Sequence, residues 1–186
     1  MRTKKTILIL LSGKAGAGKT TVADLLGGRL IKDGLQCLRY SFSNPIKHIA
    51  KSFIGWNQEK DDRGRKLLQD IGNVGRSYDI DFLCKHLINF LDKSKEMFPY
   101  NFIFVDDWRF PNEAEFFKKN PMFEVVKVRV SGRGGLNGEL ANDATETSLP
   151  EDKDYYDIKI DNSTDLIVLV AIVENMIIAL KEKYVV

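Results

Sequence analysis

Eight consecutive residues, Gly13-Lys14-Ala15-Gly16-Ala17-Gly18-Lys19-Thr20, satisfy G-x-x-x-x-G-K-[ST] at every required position. The chemistry explains the spacing. Glycines at 13, 16 and 18 let the backbone turn tightly and aim several N–H groups inward. A helix starting at this point adds its positive N-terminal end. Lys19 is expected to reach the β- and γ-phosphates of a nucleotide, and the Thr20 hydroxyl to hold Mg²⁺. The expected cradle for ATP is therefore Gly13, Lys14, Ala15, Gly16, Ala17, Gly18, Lys19, Thr20 and Thr21.

Two further groups of residues have chemistry-bearing types. The first is Asp106-Asp107-Trp108-Arg109-Phe110-Pro111-Asn112-Glu113, which comes after the apolar run Phe102 to Val105. A strand that ends in a carboxylate supplies what a phosphate-loop enzyme needs beside its Mg²⁺. Asp106 is expected in that role, with Asp107 as the alternative, and Arg109 is expected to face phosphate. The second is a basic helical stretch with Arg63, Arg65, Lys66, Gln69 and Arg76 between apolar residues. Arg65 and Gln69 are four apart and share a helix face. A guanidinium is a planar fork that matches phosphate, and Gln69 can both donate to and accept from a base edge.

These residues need elements to hold them. Thr6 to Leu11 is apolar on both faces and reads as a central parallel strand over 6–12. Val22, Leu25, Leu26 and Leu30 give helical periodicity over 19–32, closed by Asp33-Gly34. Residues 35–42 read as a second strand. Asn44-Pro45 opens a helix that ends near Gly55. A polar stretch over 57–65 comes next, then helical spacing from Leu67 that stops at Gly72. A longer helix over 81–95 carries Phe82, Leu83, His86, Leu87, Phe90 and Leu91 in a stripe, which makes His86 a packed core residue.

The remaining strands are expected over 101–105, 123–130 and 156–160, with a helix from Pro111 to about Lys119 and a last one to about Lys183. Residues 131–154 show no periodicity and read as a lid. Strands alternating with helices imply a five-stranded parallel sheet covered on both faces, in one domain of 186 residues. Ligands of such sheets lie at the carboxyl ends of the strands. The last helix is apolar nearly all round, so it should be covered on more than one side, by the core or by a homodimer seam.

The bulk numbers bound the function classes. A net charge of +2 is too small for a nucleic-acid footprint. Two cysteines far apart, Cys37 and Cys84, fit free thiols in a reducing cytoplasm. A total of two histidines argues against an imidazole-based metal site or triad. The basic start, Met1 to Lys5, leads into a strand and not a signal sequence. Leu166 to Val173 is too short to span a membrane.

Taken in order, Ser41-Phe42-Ser43-Asn44-Pro45-Ile46-Lys47, Arg65-Lys66-Leu67-Leu68-Gln69-Asp70-Ile71-Gly72 with Arg76, and the string from Asp106 to Glu113 resemble the phage-type deoxynucleoside monophosphate kinases. Thr145-Glu146-Thr147-Ser148-Leu149 is similar to the Ser-Glu segment of that family's lid, and Asp157 to Asn162 to its closing strand and turn. The resemblance covers about residues 6–170. It implies an adenylate-kinase-like P-loop NTPase fold, with an acceptor segment at about 43–80 and a lid at about 131–154. It implies transfer of the ATP γ-phosphoryl group to a deoxynucleoside monophosphate, with Mg²⁺ held by Thr20 and Asp106. Lys19, Arg65, Asp106, Arg109 and Arg133 would act on the transferred group. Ser41, Lys47, Arg65, Gln69, Arg76, Asp107 and Arg109 would bind the acceptor. The partners expected are these two nucleotides, with no nucleic acid and no membrane, and the chain a cytoplasmic monomer or homodimer. Dephospho-coenzyme A kinase, or another small-metabolite kinase on this scaffold, is the alternative enzyme. A nucleotide-dependent switch or binding module is the alternative of another class.

Overall fold

Thr6–Ser12 (β1) is apolar on both faces because both faces are covered. Successive side chains of a strand point to opposite sides. Ile7, Ile9 and Leu11 therefore enter one core, and Leu8 and Leu10 the other. The structure is a computed structural model and describes residues 5–94, 100–132, 134–135 and 142–184. Cys37–Tyr40 (β2), Phe102–Val105 (β3), Phe123–Ser131 (β4) and Ile158–Asp161 (β5) complete the sheet. Its order is β2-β3-β1-β4-β5, and every pairing is parallel.

Lys19–Lys32 (α1) and Leu166–Tyr184 (α7) cover the first face, burying Val22, Leu26, Leu30, Leu169, Val173 and Ile177. Asn44–Ile54 (α2), Asp62–Tyr78 (α3), Phe82–Ser94 (α4) and Pro111–Lys118 (α5) lie on the second. Each fully buried Leu or Phe there contributes roughly 1.5–3 kcal/mol relative to exposure. The chain leaves β1 toward β2 on one side and reaches β4 on the other. The sheet thus reverses direction at β1, where open parallel sheets bind ligands. An all-parallel sheet with the phosphate loop between its central strand and α1 is the α/β P-loop NTPase fold expected from the sequence.

Several boundaries differ from the expectation, the largest for a packing reason. The segment expected to stop at Gly72 continues as α3 to Tyr78. Gly72 and Gly75 are contact points within it: a Cβ on Gly75 would lie 2.5 Å from the Phe82 ring, and one on Gly72 2.8 Å from Arg76 Nη1. The polar run before it supplies the first turn, with Asp61 Oδ1 accepting from the Gly64 N–H at 2.7 Å. The second strand is only four residues, and the fifth starts two residues later than expected.

His86 is exposed at the edge of α4, its Nδ1 2.7 Å from the Tyr40 hydroxyl; Leu83, Cys84, Leu87 and Leu91 form the buried face instead. Within the expected lid, Ala144–Thr147 (α6) and a 3₁₀ turn, Lys153–Tyr155, are ordered elements. Arg133 and residues 136–141 of that lid lie outside the described residues. α7 is covered on one side of its circumference; Leu166 and Ile167 are exposed. Among the described residues no helix is long and apolar enough to cross a membrane.

Candidate active site

The phosphate loop is built where β1 ends. Gly13, Gly16 and Gly18 all have positive φ, at 148°, 79° and 95°. At Gly18 a side chain would be strained and would displace Asn162, whose Nδ2 lies 2.3 Å from where a Cβ would sit. That amide is buried and donates to the Ala17 carbonyl at 3.0 Å, tying the loop to the end of β5. Lys19 is buried, and its Nζ donates to the carbonyls of Gly13 at 2.7 Å and Lys14 at 2.9 Å. Burial, then the nearby Arg109 guanidinium, lowers its pKa to about 8, against the opposing pull of Glu146, Asp107 and Asp106.

The strand end at β3 is fixed by its tryptophan. Trp108 is fully buried; its backbone N–H donates to the Leu11 carbonyl at 3.1 Å, and its indole N–H to the Phe110 carbonyl at 2.8 Å. Tyr155 stacks on the indole and Tyr156 meets it edge-on. With Trp108 anchored inward, its neighbours Asp106, Asp107 and Arg109 line the cleft.

The two carboxylates have separate partners. Asp106 Oδ2 accepts from the Thr20 hydroxyl at 3.0 Å, and burial raises the pKa of this carboxyl, Asp107 adding to the effect. Two hard oxygens side by side suit Mg²⁺, which takes one or two protein ligands and fills its octahedron with phosphate and water. Thr20 and Asp106 are thus the residues that fit the metal. Asp107 instead closes the turn after β2: its Oδ1 accepts from the Phe42 N–H at 2.7 Å, and its Oδ2 from the Ser41 hydroxyl at 2.6 Å and the Ser43 N–H at 2.9 Å.

A cleft of about 360 Å³ runs from the phosphate loop to α2 and α3. Lys19, Thr20, Ser41, Lys47, Arg65, Gln69, Arg76, Asp106, Asp107 and Arg109 all line it, as do Ala15 and Gly16. Lys14 is exposed on the loop, and Thr21 is exposed on the first turn of α1. Ile46, Leu68, Leu83 and Phe42 give the cleft an apolar flank, and Lys60 adds a basic group at its edge that no sequence motif marks. Arg129 stands apart from the cleft, paired with Glu151 at 2.8 Å.

Arg76 occupies an unusual place in the cleft wall. Its guanidinium lies 4.1 Å from the centroid of the Phe110 ring, and its Nη1 is buried without a hydrogen-bond partner. Phe110 is held in turn by Glu113. This carboxylate is buried at the start of α5, and its Oε2 accepts from the N–H groups of Arg109 and Phe110, both at 3.0 Å. Burial pushes the Glu113 carboxyl up to about 7, against the two backbone hydrogen bonds and Arg76.

Neither Glu113 nor Glu146 is among the site residues expected from sequence. The first had a signal, a carboxylate at the third position of a helix that opens with Pro111. The second lies in the stretch similar to a lid segment, but nothing in the sequence pairs it with Ala15, 131 residues away.

No protein-family model matches the chain, and no curated protein matches it. Solved structures of similar shape include an APS kinase from Mycobacterium tuberculosis, at 11% identity and a TM-score of 0.49, over 96% of this chain and 99% of that one. A gluconokinase from Sinorhizobium meliloti aligns at 12% identity and a TM-score of 0.49, over 98% and 97% of the two chains. A shikimate kinase from Aquifex aeolicus aligns at 16% identity and a TM-score of 0.45, over 95% and 97%. Likeness at this level carries no argument about what this chain does.

Proposed function

We propose that the chain is an ATP-dependent phosphotransferase whose acceptor is a deoxynucleoside monophosphate. The observation that carries the reading is the single cleft joining Lys19 and Thr20 to Arg65, Gln69, Arg76 and Arg109. Such a cleft suits two phosphate groups facing each other, with an acceptor base lying toward Gln69 and the apolar flank. The orphaned Arg76 Nη1 supports it, since a buried donor without a partner is costly unless a ligand oxygen completes it.

The chemistry needs little from the protein beyond position and charge. An acceptor phosphate is largely dianionic at neutral pH, its second pKa being about 6, so no general base is required. Lys19 leaves the carbonyls of Gly13 and Lys14 to meet the β- and γ-phosphates. Thr20 and Asp106 would hold Mg²⁺, which would supply positive charge to offset that of the phosphates. Arg109, whose Nη1 lies 3.3 Å from the Gly13 carbonyl, acts on the transferred group at the phosphate loop, and Arg65 orients the acceptor phosphate. Ser41 and Lys47 flank it, and Arg76 supplies a fixed fork. The hydroxyl-phosphorylating alternative wants a free carboxylate as base. Asp107, the candidate, already accepts three hydrogen bonds from the turn at 41–43.

The test is ATP-dependent phosphorylation measured across all common ribo- and deoxynucleoside monophosphates. At least one deoxynucleoside monophosphate should accelerate ADP release and appear as its diphosphate. ADP release unchanged by every monophosphate overturns the assignment.

A further inference from the structure

A carboxylate stands where nucleotide phosphate would lie. Glu146 Oε2 accepts from the Ala15 N–H of the phosphate loop at 3.3 Å, and Glu146 Oε1 pairs with Arg109 Nη1 at 2.9 Å. Its side chain is 8% exposed, although it belongs to a four-residue helix on the surface. That helix is braced from below: Asp143 Oδ1 accepts from both the backbone N–H and the hydroxyl of Thr145, at 2.9 and 2.8 Å. A second length of chain closes over the same loop. The Gly135 N–H donates to the Ala15 carbonyl at 2.7 Å, and Gly134 lies so close that a Cβ there would sit 2.1 Å from that carbonyl oxygen.

We infer that Glu146 is the resident anion of the phosphate seat, and that nucleotide phosphate binds by exchange with it. The loop collects inward N–H groups, a helix N-terminus, Lys19 and Arg109 in one small volume. Without an anion those positive groups would repel each other in a poorly hydrated cleft. Glu146 balances them in the free protein and keeps Arg109 aimed into the cleft. Arriving phosphate takes the Ala15 amide and Arg109, and the segment Ala144–Thr147 leaves with its carboxylate. The exchange makes ATP binding weaker than the bare seat would give, in proportion to how rarely the seat is open.

The inference rests on the nucleotide-site reading alone, and not on the acceptor. The test is calorimetric binding of ATP, inorganic tripolyphosphate and adenosine, without acceptor, to the full chain and to Glu146→Gln. A seat occupied nine-tenths of the time should, once freed, bind ATP and tripolyphosphate about tenfold tighter, with adenosine unchanged. Unchanged or weaker affinity in the folded variant overturns the exchange and makes Glu146 a group that supports the ligand. A measurement on the unaltered protein decides the matter if the variant does not fold. Amide hydrogen exchange over Ala144–Thr147 should speed up when tripolyphosphate binds; equal or slower exchange overturns the inference. Failure of the unaltered protein to bind ATP at all would instead defeat the nucleotide site itself.

Discussion

The two ends of the cleft are prepared in opposite ways. At the phosphate loop the side chains of Lys19, Thr20 and Arg109 each have a partner from the protein itself. Lys19 sits on two loop carbonyls, Thr20 on Asp106, and Arg109 on Glu146 and the Gly13 carbonyl. At the far wall Arg76 is packed on Phe110 and over Gly72, with one buried donor left open. The difference comes from the make-up of each end. The loop gathers several positive groups at once and needs a stand-in when empty. Arg76, held by an aromatic face, can wait, because stacking supports its guanidinium without using its N–H groups. Binding at the loop is then an exchange of partners, and binding at the far wall is a completion.

The sharpest way to break this contrast is at Lys19. Lys19→Ala removes the group meant to follow charge onto the transferred phosphoryl. kcat should fall at least about 10²- to 10³-fold, the scale of losing one preorganised charge-stabilising donor. The circular dichroism spectrum should be unchanged, since the Gly13 and Lys14 carbonyls it leaves can bind water. Near-normal kcat in that variant would take Lys19 out of the mechanism and leave the loop a structural turn.

Arg65→Lys tests the acceptor wall with a smaller effect. It keeps the charge and loses the planar fork. Acceptor kcat/KM should drop about 10- to 150-fold, matching a charge-assisted bond of roughly 1.5–3 kcal/mol, while the ATP dissociation constant stays within about twofold. If ATP affinity falls and acceptor kinetics hold, the two ends are assigned the wrong way round.

Gly72→Ala separates folding from function at the same wall. The new Cβ would lie 2.8 Å from Arg76 Nη1 and 3.2 Å from Ile46 Cδ1. The first neighbour is the tip of a flexible side chain and can swing away. Alanine also favours a helix interior over glycine by about 1 kcal/mol. Melting temperature should therefore hold or rise, while acceptor KM increases about tenfold, the low end of losing a charge-assisted contact. A variant equally stable and with unaltered acceptor KM would show that Arg76 is a packing residue only.

The same glycine shows where sequence reasoning runs out. The phosphate loop is legible because its chemistry is local: glycines, Lys19 and Thr20 lie within eight residues, between a strand and a helix. The pair Asp106-Asp107 is legible because the end of an apolar strand fixes where the next side chains emerge; which of the two meets Thr20 is seen only in the folded chain. Gly72 reads as a helix stop, since glycine there is unfavourable on local grounds; Arg76 and Ile46 packing against it outweighs that. His86 lies one step round its helix from the position its stripe implies, because a run of mixed residues does not say which edge faces the core. Glu146 is marked only by the likeness of its stretch to a lid segment; its pairing with Ala15 and Arg109 arises only in the folded chain.

The smallest effect expected is in stability, and it tests how firmly Glu113 joins the two ends through Arg109 and Phe110. Its carboxyl is buried and pushed up to about 7 from an ordinary value of 4.5, with Arg76 and the two N–H groups acting against that rise and Asp107 adding to it. A raised carboxyl pKa means the folded protein keeps a proton that the unfolded chain has released. Between the two values the unfolded state binds fewer protons, so stability falls as pH rises. The contribution from this group is fully present below about pH 4.5 and lost as pH climbs through about 7. Denaturant unfolding of the unaltered protein should therefore lose about 1 kcal/mol between roughly pH 5.5 and 6.5 from this source. Glu113→Gln retains an oxygen to accept from Arg109 and Phe110 and has no proton to release, so that slope should flatten. An identical slope in both proteins would mean that Glu113 is ionised throughout, held so by Arg76, and the far wall would then carry its own bound anion as the phosphate loop does.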